Sequence, residues 1–204
     1  MKDTTLDYSR YFWQGEKVRL RPYRAEDAEQ HFIDCLDSPA RQILQSGVEL
    51  PTSVELLKGS LEKYLGCKDA EGVILFVIES LEGKNAGGLS FHSRDEKNGT
   101  FSFGVAISRP YWGQGYATDA VRILLRYGFW ERRYQKCDSA CLHTNAASIK
   151  LHQKLGFVEE GRQRRQTFYN GEYYDTVLFG LTREEFDARE KGASAGGMSK
   201  SSSP

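Results

Sequence analysis

Two hydrophobic periods alternate along this chain, and their alternation predicts its elements. Residues 16–21 put Val18 and Leu20 on one side, a two-residue period that reads as a first strand, ended by Pro22. From Ala25 the spacing lengthens: Ala28, Phe32, Cys35 and Leu36 share one face of a helix running to about Leu36. Residues 38–51 show no clear period. Thr52 or Ser53 can then cap a helix whose inward face is Leu56, Leu57, Leu61 and Leu65, with Gly66 at its end. Residues 73–78 are almost wholly apolar and predict a central strand buried on both faces. Strands over 86–91 and 100–107 follow, separated by turns at 82–85 and 95–99. After Ile107 the period becomes helical again, with apolar or small residues at 117, 120, 121, 124, 125 and 128, to a helix end near Trp130.

Residues 136–143 alternate as a strand, with Ala140 and Leu142 opposite Cys137, Cys141 and His143. Asn145 caps a short helix that Gly156 stops in left-handed conformation. Residues 162–169 and 173–181 form a hairpin about Asn170-Gly171, and Thr182 caps a charged helix to about Glu190. The expected organisation is an arm over residues 1–15 that packs loosely, one α/β domain over 16–190, and a disordered Gly- and Ser-rich tail over 191–204.

Composition narrows the function classes. A chain of 204 residues with 39% hydrophobic and 12% aromatic residues can bury one ordinary core. Its zero formal net charge argues against general nucleic-acid binding. No apolar run approaches a membrane span, and residues 1–7 have no apolar signal core. Cysteines 35, 67, 137 and 141 lack a Cys-x-x-Cys pair and read as reduced thiols of a cytoplasmic protein. Cys137, Cys141 and His143 share a strand face, which suits packing or lining a cleft better than holding a metal; no metal is expected.

The chemistry concentrates in residues 109–118, Arg-Pro-Tyr-Trp-Gly-Gln-Gly-Tyr-Ala-Thr, between the strand over 100–107 and the helix that follows. A helix N-terminus carries unpaired N–H groups and the positive end of the macrodipole, and small residues let a bulky anion approach them. A Walker loop would need Lys and Ser or Thr after the last Gly, where Tyr116 and Ala117 stand. A dinucleotide fingerprint would need Gly or Ala at Thr118. What remains resembles the pyrophosphate loop of the GNAT acyl-CoA N-acyltransferases, Gln/Arg-x-x-Gly-x-Gly/Ala, in its RimJ/RimL-type form, with Trp112 in place of the usual Gln or Arg. Leu20–Ala28 resembles the opening of RimJ/RimL-type chains. Asn145 to Phe157 resembles the family's Asn-x-x-Ser-x-x-x-x-x-Lys-x-Gly-Phe motif, and Asp175 to Leu181 its closing strand, so the resemblance covers about residues 16–186.

That resemblance implies a mixed, mostly antiparallel sheet of six to seven strands, flanked by helices and splayed at its centre. It implies acetyl-CoA as co-substrate, with pantetheine amides on backbone groups near Val105 and Ile107. The diphosphate would lie on the N–H groups of Trp112, Gly113, Gln114, Gly115, Tyr116 and Ala117, up to Thr118, and Asn145 would flank the thiol end. The implied reaction is attack of a neutral amine on the thioester. A protein N-terminal amine is the first acceptor to consider, because its reference pKa of about 7.7–8.0 makes it easier to deprotonate than a Lys amine near 10.4. A polyamine or other small amine is the alternative. A deep acidic pocket would favour the polyamine and an open groove the peptide.

Many family members protonate the thiolate from a Tyr seven residues after the Asn. Here that position is His152, so Ser148 and His152 are the candidate acids, with water or no acid at all as the alternative. Candidate bases are Glu49, His92, Glu172 and Asp175. Arg162, Arg164 and Arg165 either face solvent or attract an anion. A non-catalytic acyl-CoA-binding module is the rival class, and the chain is expected to be a monomer or a homodimer.

Overall fold

A computed structural model describes residues 7–44, 47–48 and 50–197, with side chains to residue 192. One seven-stranded sheet organises it, in the order β1-β2-β3-β4-β5-β7-β6. The strands are β1 Val18–Pro22, β2 Ile74–Ser80, β3 Asn85–Asp95, β4 Thr100–Ile107, β5 Lys136–Leu142, β6 Val158–Tyr169 and β7 Glu172–Thr182. Every neighbouring pair is antiparallel except β4 and β5. The helices are α1 Asp27–Cys35, α2 Ser38–Ile43, α3 Val54–Leu61, α4 Tyr116–Arg126, α5 Ala146–Leu155 and α6 Arg183–Gly197.

Parallel pairing needs a crossover, and α4 supplies it. Ala120, Val121, Ile123, Leu124 and Leu125 make α4 the most deeply buried helix, and they belong to one core cluster with Phe91, Phe101 and Phe129. Gly128 permits this approach, since a Cβ there would lie 2.5 Å from the Phe101 ring.

The pairing of β4 with β5 is short. Thr100, Phe101 and Ser102 face Lys136, Cys137 and Asp138, and no pair follows. Past Ser102 the two strands part, while β4 stays on β3 to Ile107 and β5 stays on β7 to Leu142. The sheet therefore contains a V with its apex at Ser102 and Asp138, the splay expected at its centre.

Several expectations change in three dimensions. The strand over 74–80 is second from the sheet edge, and it is buried because the helices and the arm cover it. Trp13 stacks on Phe76 at 5.2 Å and meets Tyr127 at 4.8 Å, so this end of the arm is packed rather than loose. Residues 38–43 form α2, capped by Asp37. Leu36 is 68% exposed and Leu56 65% exposed, both on the outside. Leu36 follows the last turn of α1, and the half-buried side of α3 runs through Val54, Leu57 and Leu61, leaving Leu56 on the other side. The last helix continues past Glu190 to Gly197.

Candidate active site

The loop between β4 and α4 is built from two left-handed glycines. Gly113 has φ 75° and Gly115 φ 84°, a region that costs an L side chain about 1–2 kcal/mol. Gly115 is the N-cap of α4 and has no side chain to cap it, so no side-chain acceptor covers the helix end. The loop is pinned from both sides. The Trp112 indole donates to the Ile107 carbonyl at 2.6 Å, and the Gln114 amide donates to Pro110 at 3.1 Å. Arg109 lies over the Trp112 ring at 4.6 Å and donates to Asp37 at 2.7 Å. Arg109 thereby holds the Asp37 carboxyl below its usual range and ties the loop to α2. The Ile107 carbonyl, expected to meet pantetheine, already accepts this one bond and keeps its second lone pair.

Lys17 was invisible to sequence reasoning. Asp119, in the first turn of α4, accepts from the N–H groups of Glu16, Lys17 and Val18 at 3.2, 2.8 and 3.0 Å. This fixes the start of β1 against the loop. Lys17 Nζ then donates to the Gln114 carbonyl at 2.7 Å, beside Gly115. The feature that finds it is a contact across about a hundred residues of sequence. A diphosphate on this helix end would have the Lys17 ammonium as a neighbour. Lys17→Met is expected to weaken coenzyme A binding about two- to fivefold by calorimetry, the size of an exposed charge contact. The loss should shrink in 1 M salt.

Between the parted strands lies a cavity of about 450 Å³. Phe103, Gly104 and Val105 line it from β4, Ser139, Ala140 and Cys141 from β5, and Asn145, Ser148 and His152 from the segment after β5. Asn145 uses its side-chain oxygen to accept from the Ser148 N–H at 3.0 Å and its amide to donate to Ile43 at 3.3 Å, which fixes α5 at the cleft wall. His152 is 2% exposed, sealed among Phe103, Phe157 and Phe179. Burial lowers its affinity for a proton below the ordinary His value. His92 also lines the cavity; burial shifts it the same way, and its Nδ1 lies 2.9 Å from the Ser93 hydroxyl. Cys141 faces the cleft and burial pushes its thiol up, whereas Cys137 is sealed in the core.

The other acid–base candidates lie elsewhere. Glu172 is exposed at the hairpin and accepts from the Tyr174 hydroxyl; Asp175 accepts from the Arg165 N–H at 2.9 Å. Neither is among the residues that line this cleft. Glu49 lies outside the described residues. Arg162, Arg164 and Arg165 are exposed on β6, with Arg162 3.7 Å from Asp175 and Arg165 over Tyr173.

A second cavity of about 400 Å³ lies on the other side of β4, under α1, α2 and α3. It shares Leu44, Gly104 and Val105 with the cleft, so the two spaces meet at the middle of β4. Asp27, Asp34 and Asp37 line it. Asp27 and Asp37 are neutralised by Arg21 and Arg109. Asp34 is held by neutral donors, the Ser108 hydroxyl at 2.8 Å and the Gln30 amide at 3.0 Å. Tyr23 lines the same cavity, and its buried hydroxyl has no partner among the described residues. Burial raises its pKa, so the phenol is neutral throughout the working range. Neither Tyr23 nor Asp34 carried a signal in the sequence.

The residues fit an acyl-CoA at three points: a glycine-built helix end bare of side-chain caps, a cleft left open by the parted strands, and a second chamber that meets the cleft at the middle of β4. The model of the acetyltransferase (GNAT) domain matches residues 17–158. The SPbeta prophage-derived uncharacterized N-acetyltransferase YokL of Bacillus subtilis (strain 168) is 35% identical over 86% of this chain and 96% of its own. The spermidine N(1)-acetyltransferase of Escherichia coli (strain K12) is 26% identical over 87% of this chain and 92% of its own. The crystal structure of spermidine N-acetyltransferase from Vibrio cholerae, in complex with CoA and spermine, shares the fold with a TM-score of 0.73, covering 83% of this chain and 97% of that one at 20% identity.

Proposed function

The chain belongs to the GNAT acetyltransferases, and from that premise we propose that the amine it acetylates is a small one carrying a second positive charge, of polyamine type. The reaction class follows from the family: an acetyl group passes from acetyl-CoA, the co-substrate, to an amine. The observation that carries the acceptor reading is Asp34. It is a carboxylate at a chamber that opens onto the cleft, and the groups that donate to it, the Ser108 hydroxyl and the Gln30 amide, are neutral. A carboxylate so held would accept from an ammonium, and the unpartnered Tyr23 hydroxyl offers a second acceptor in the same chamber. Two of the relatives above are named for spermidine, which supports the same class.

In this reading the N–H groups of residues 112–117 hold the diphosphate with Lys17 beside them. Val105 and Ile107 meet the pantetheine amides, and Asn145 with the helix after it, which runs back along the cleft, flanks the thiol end. His92, Ser148 and His152 line the cleft that would hold the reacting atoms. A protein N-terminal amine is the second reading, carried by the form of the loop, Trp112-Gly113-Gln114-Gly115-Tyr116-Ala117, which resembles the RimJ/RimL type.

Thiol release from acetyl-CoA with a panel of amines tests the choice. Spermidine and putrescine should outrun butylamine and a short peptide with a free N-terminus. Asp34→Asn should raise KM for the diamines about ten- to a hundredfold, the worth of one charge-assisted hydrogen bond, and leave butylamine nearly unchanged. A variant that treats diamine and monoamine alike would end the polyamine reading. Tight CoA binding without turnover on any amine would instead favour a binding module.

A further inference from the structure

We infer that Ser139 is a catalytic residue of the transfer, the hydroxyl through which a proton travels from the attacking amine to the departing sulfur. The inference rests on the acyl-CoA reading of the cleft. Position comes first. Asp138 is the last residue of β5 paired to β4, so Ser139 is the first beyond the apex of the V. The glycine loop stands at the open end of the same V, after Ile107. An arm held at its diphosphate by the loop and lying between the strands has its far end, the thioester, at the apex. Ser139 lines the cleft there.

Its hydrogen bonding is equally defined. His152 Nδ1 lies 2.7 Å from the Ser148 carbonyl oxygen, which can only accept, so Nδ1 carries the ring proton. Nε2 of the neutral ring is then bare, and it lies 2.8 Å from Ser139 Oγ. The Ser139 hydroxyl must donate to it. Its oxygen lone pairs remain for the cleft, and they can take a proton from whatever nitrogen arrives. The Ser148 hydroxyl, 3.5 Å from the protonated Nδ1, cannot replace Ser139 in this role.

The step balances. As the amine nitrogen bonds to the acetyl carbon, Ser139 Oγ accepts a proton from that nitrogen and passes its own to His152 Nε2. The C–S bond then breaks, His152 returns the proton to Ser139 Oγ, and Ser139 gives its hydrogen to the sulfur. One C–N bond has formed, one C–S bond has broken and one proton has moved from nitrogen to sulfur. Ser139 and His152 end as they began. His152 touches no reacting atom and acts only through Ser139. The faces of Phe103 and Phe179 stack on its ring and can hold the transient cation. Burial makes that cation a stronger acid than ordinary imidazolium, which suits return of the proton to a thiolate with a reference pKa near 8.5.

The test compares Ser139→Ala and Ser139→Thr with the wild type, using an amine that the wild type acetylates. Ser139→Ala should lower kcat about a hundredfold, the lower range for a lost proton-transfer group. Coenzyme A affinity by calorimetry and acceptor KM should stay within about twofold. Ser139→Thr, which keeps the hydroxyl, should recover most of kcat. In 15N NMR of the histidine rings, His152 should be Nδ1-protonated in the wild type, with its Nε2 resonance shifting in Ser139→Ala. Full kcat in Ser139→Ala overturns the relay. So does an Nε2-protonated His152, or equal losses in kcat and coenzyme A affinity that Thr does not repair. Wild type that binds coenzyme A outside the cleft would instead overturn the acyl-CoA reading on which the relay stands, and loop variants report that separately.

Discussion

Coenzyme A binding to Gly115→Glu should fall at least about a hundredfold, roughly 2.7 kcal/mol, while the protein still melts cooperatively. Two effects act together, and their sizes differ. Gly115 has φ 84°, so any L residue there strains the backbone by about 1–2 kcal/mol. In a domain of this length that lowers Tm by only a few degrees. The larger effect is electrostatic. A Cβ at 115 would point at Lys17 Nζ, 3.3 Å away. A carboxylate built there would occupy the helix end meant for a diphosphate and would take the Lys17 cation for itself. Gly115→Ala separates the two effects: it keeps the strain without the charge and should lose far less affinity. Calorimetric titration and thermal melts on all three proteins check this. An intact Glu variant with unchanged affinity would remove the loop from the site.

Asp27→Ala should destabilise the protein by about 3–5 kcal/mol, the usual result of breaking one side of a buried ion pair. The Asp27 side chain is 4% exposed, and Arg21 grips it with both guanidinium nitrogens at 2.7 and 2.8 Å. The Arg24 N–H and the Asn85 amide, each at 2.9 Å, complete its bonding. Without the carboxylate, Arg21 keeps Glu79 at 2.7 Å but loses its bidentate partner in a buried place. The fall in Tm should be about ten degrees, since each kcal/mol moves a domain of this length by some 2–4 °C.

The same pair sets a pH dependence. Burial pushes the Asp27 carboxyl up, but the Arg21, Arg24 and Asn85 bonds outweigh it and the net shift is down from 3.8. A depressed carboxylate contributes stability above its unfolded value, and that contribution is lost as pH falls through the folded value. Urea melts should show the wild type losing its advantage over Asp27→Ala below about pH 4. A difference under 1 kcal/mol at pH 7, or one that grows in acid, would contradict this account. Because Asp27 begins α1 and lines the cavity beneath it, that cavity should loosen with it.

Those two sites differ in how readable they were. Gly113 and Gly115 announced themselves, because a backbone that must turn left-handed and stay bare at a helix start leaves few choices of residue. Asn145 and Gly156 likewise bound α5 through local bonds, an N-cap on Ser148 and a left-handed stop. Asn170-Gly171 set the hairpin through its own positive φ angles of 50° and 81°. Errors fell where local pattern is weak. Leu36 and Leu56 fit an apolar stripe by spacing, yet which stripe is buried depends on what packs against it. Trp13 looked like part of a loose arm because its partners, Phe76 and Tyr127, are far away in the chain. Ser139 shares the strand parity of Cys137 and Cys141, so the alternation already put it on that face, but not beside His152.

By itself, then, the chain's sequence determined the α/β order of elements apart from α2, the glycine corner, the family and the class of reaction. Each of these rests on interactions spanning a few residues, where backbone conformation and residue type are tightly linked. Only the tertiary structure decided where β4 and β5 part, that Lys17 reaches the loop, that Asp34 and Tyr23 share a chamber, and that Ser139 stands between His152 and the cleft. Those contacts join residues up to about a hundred positions apart, and their formation depends on the packing of whole elements, which no local pattern encodes.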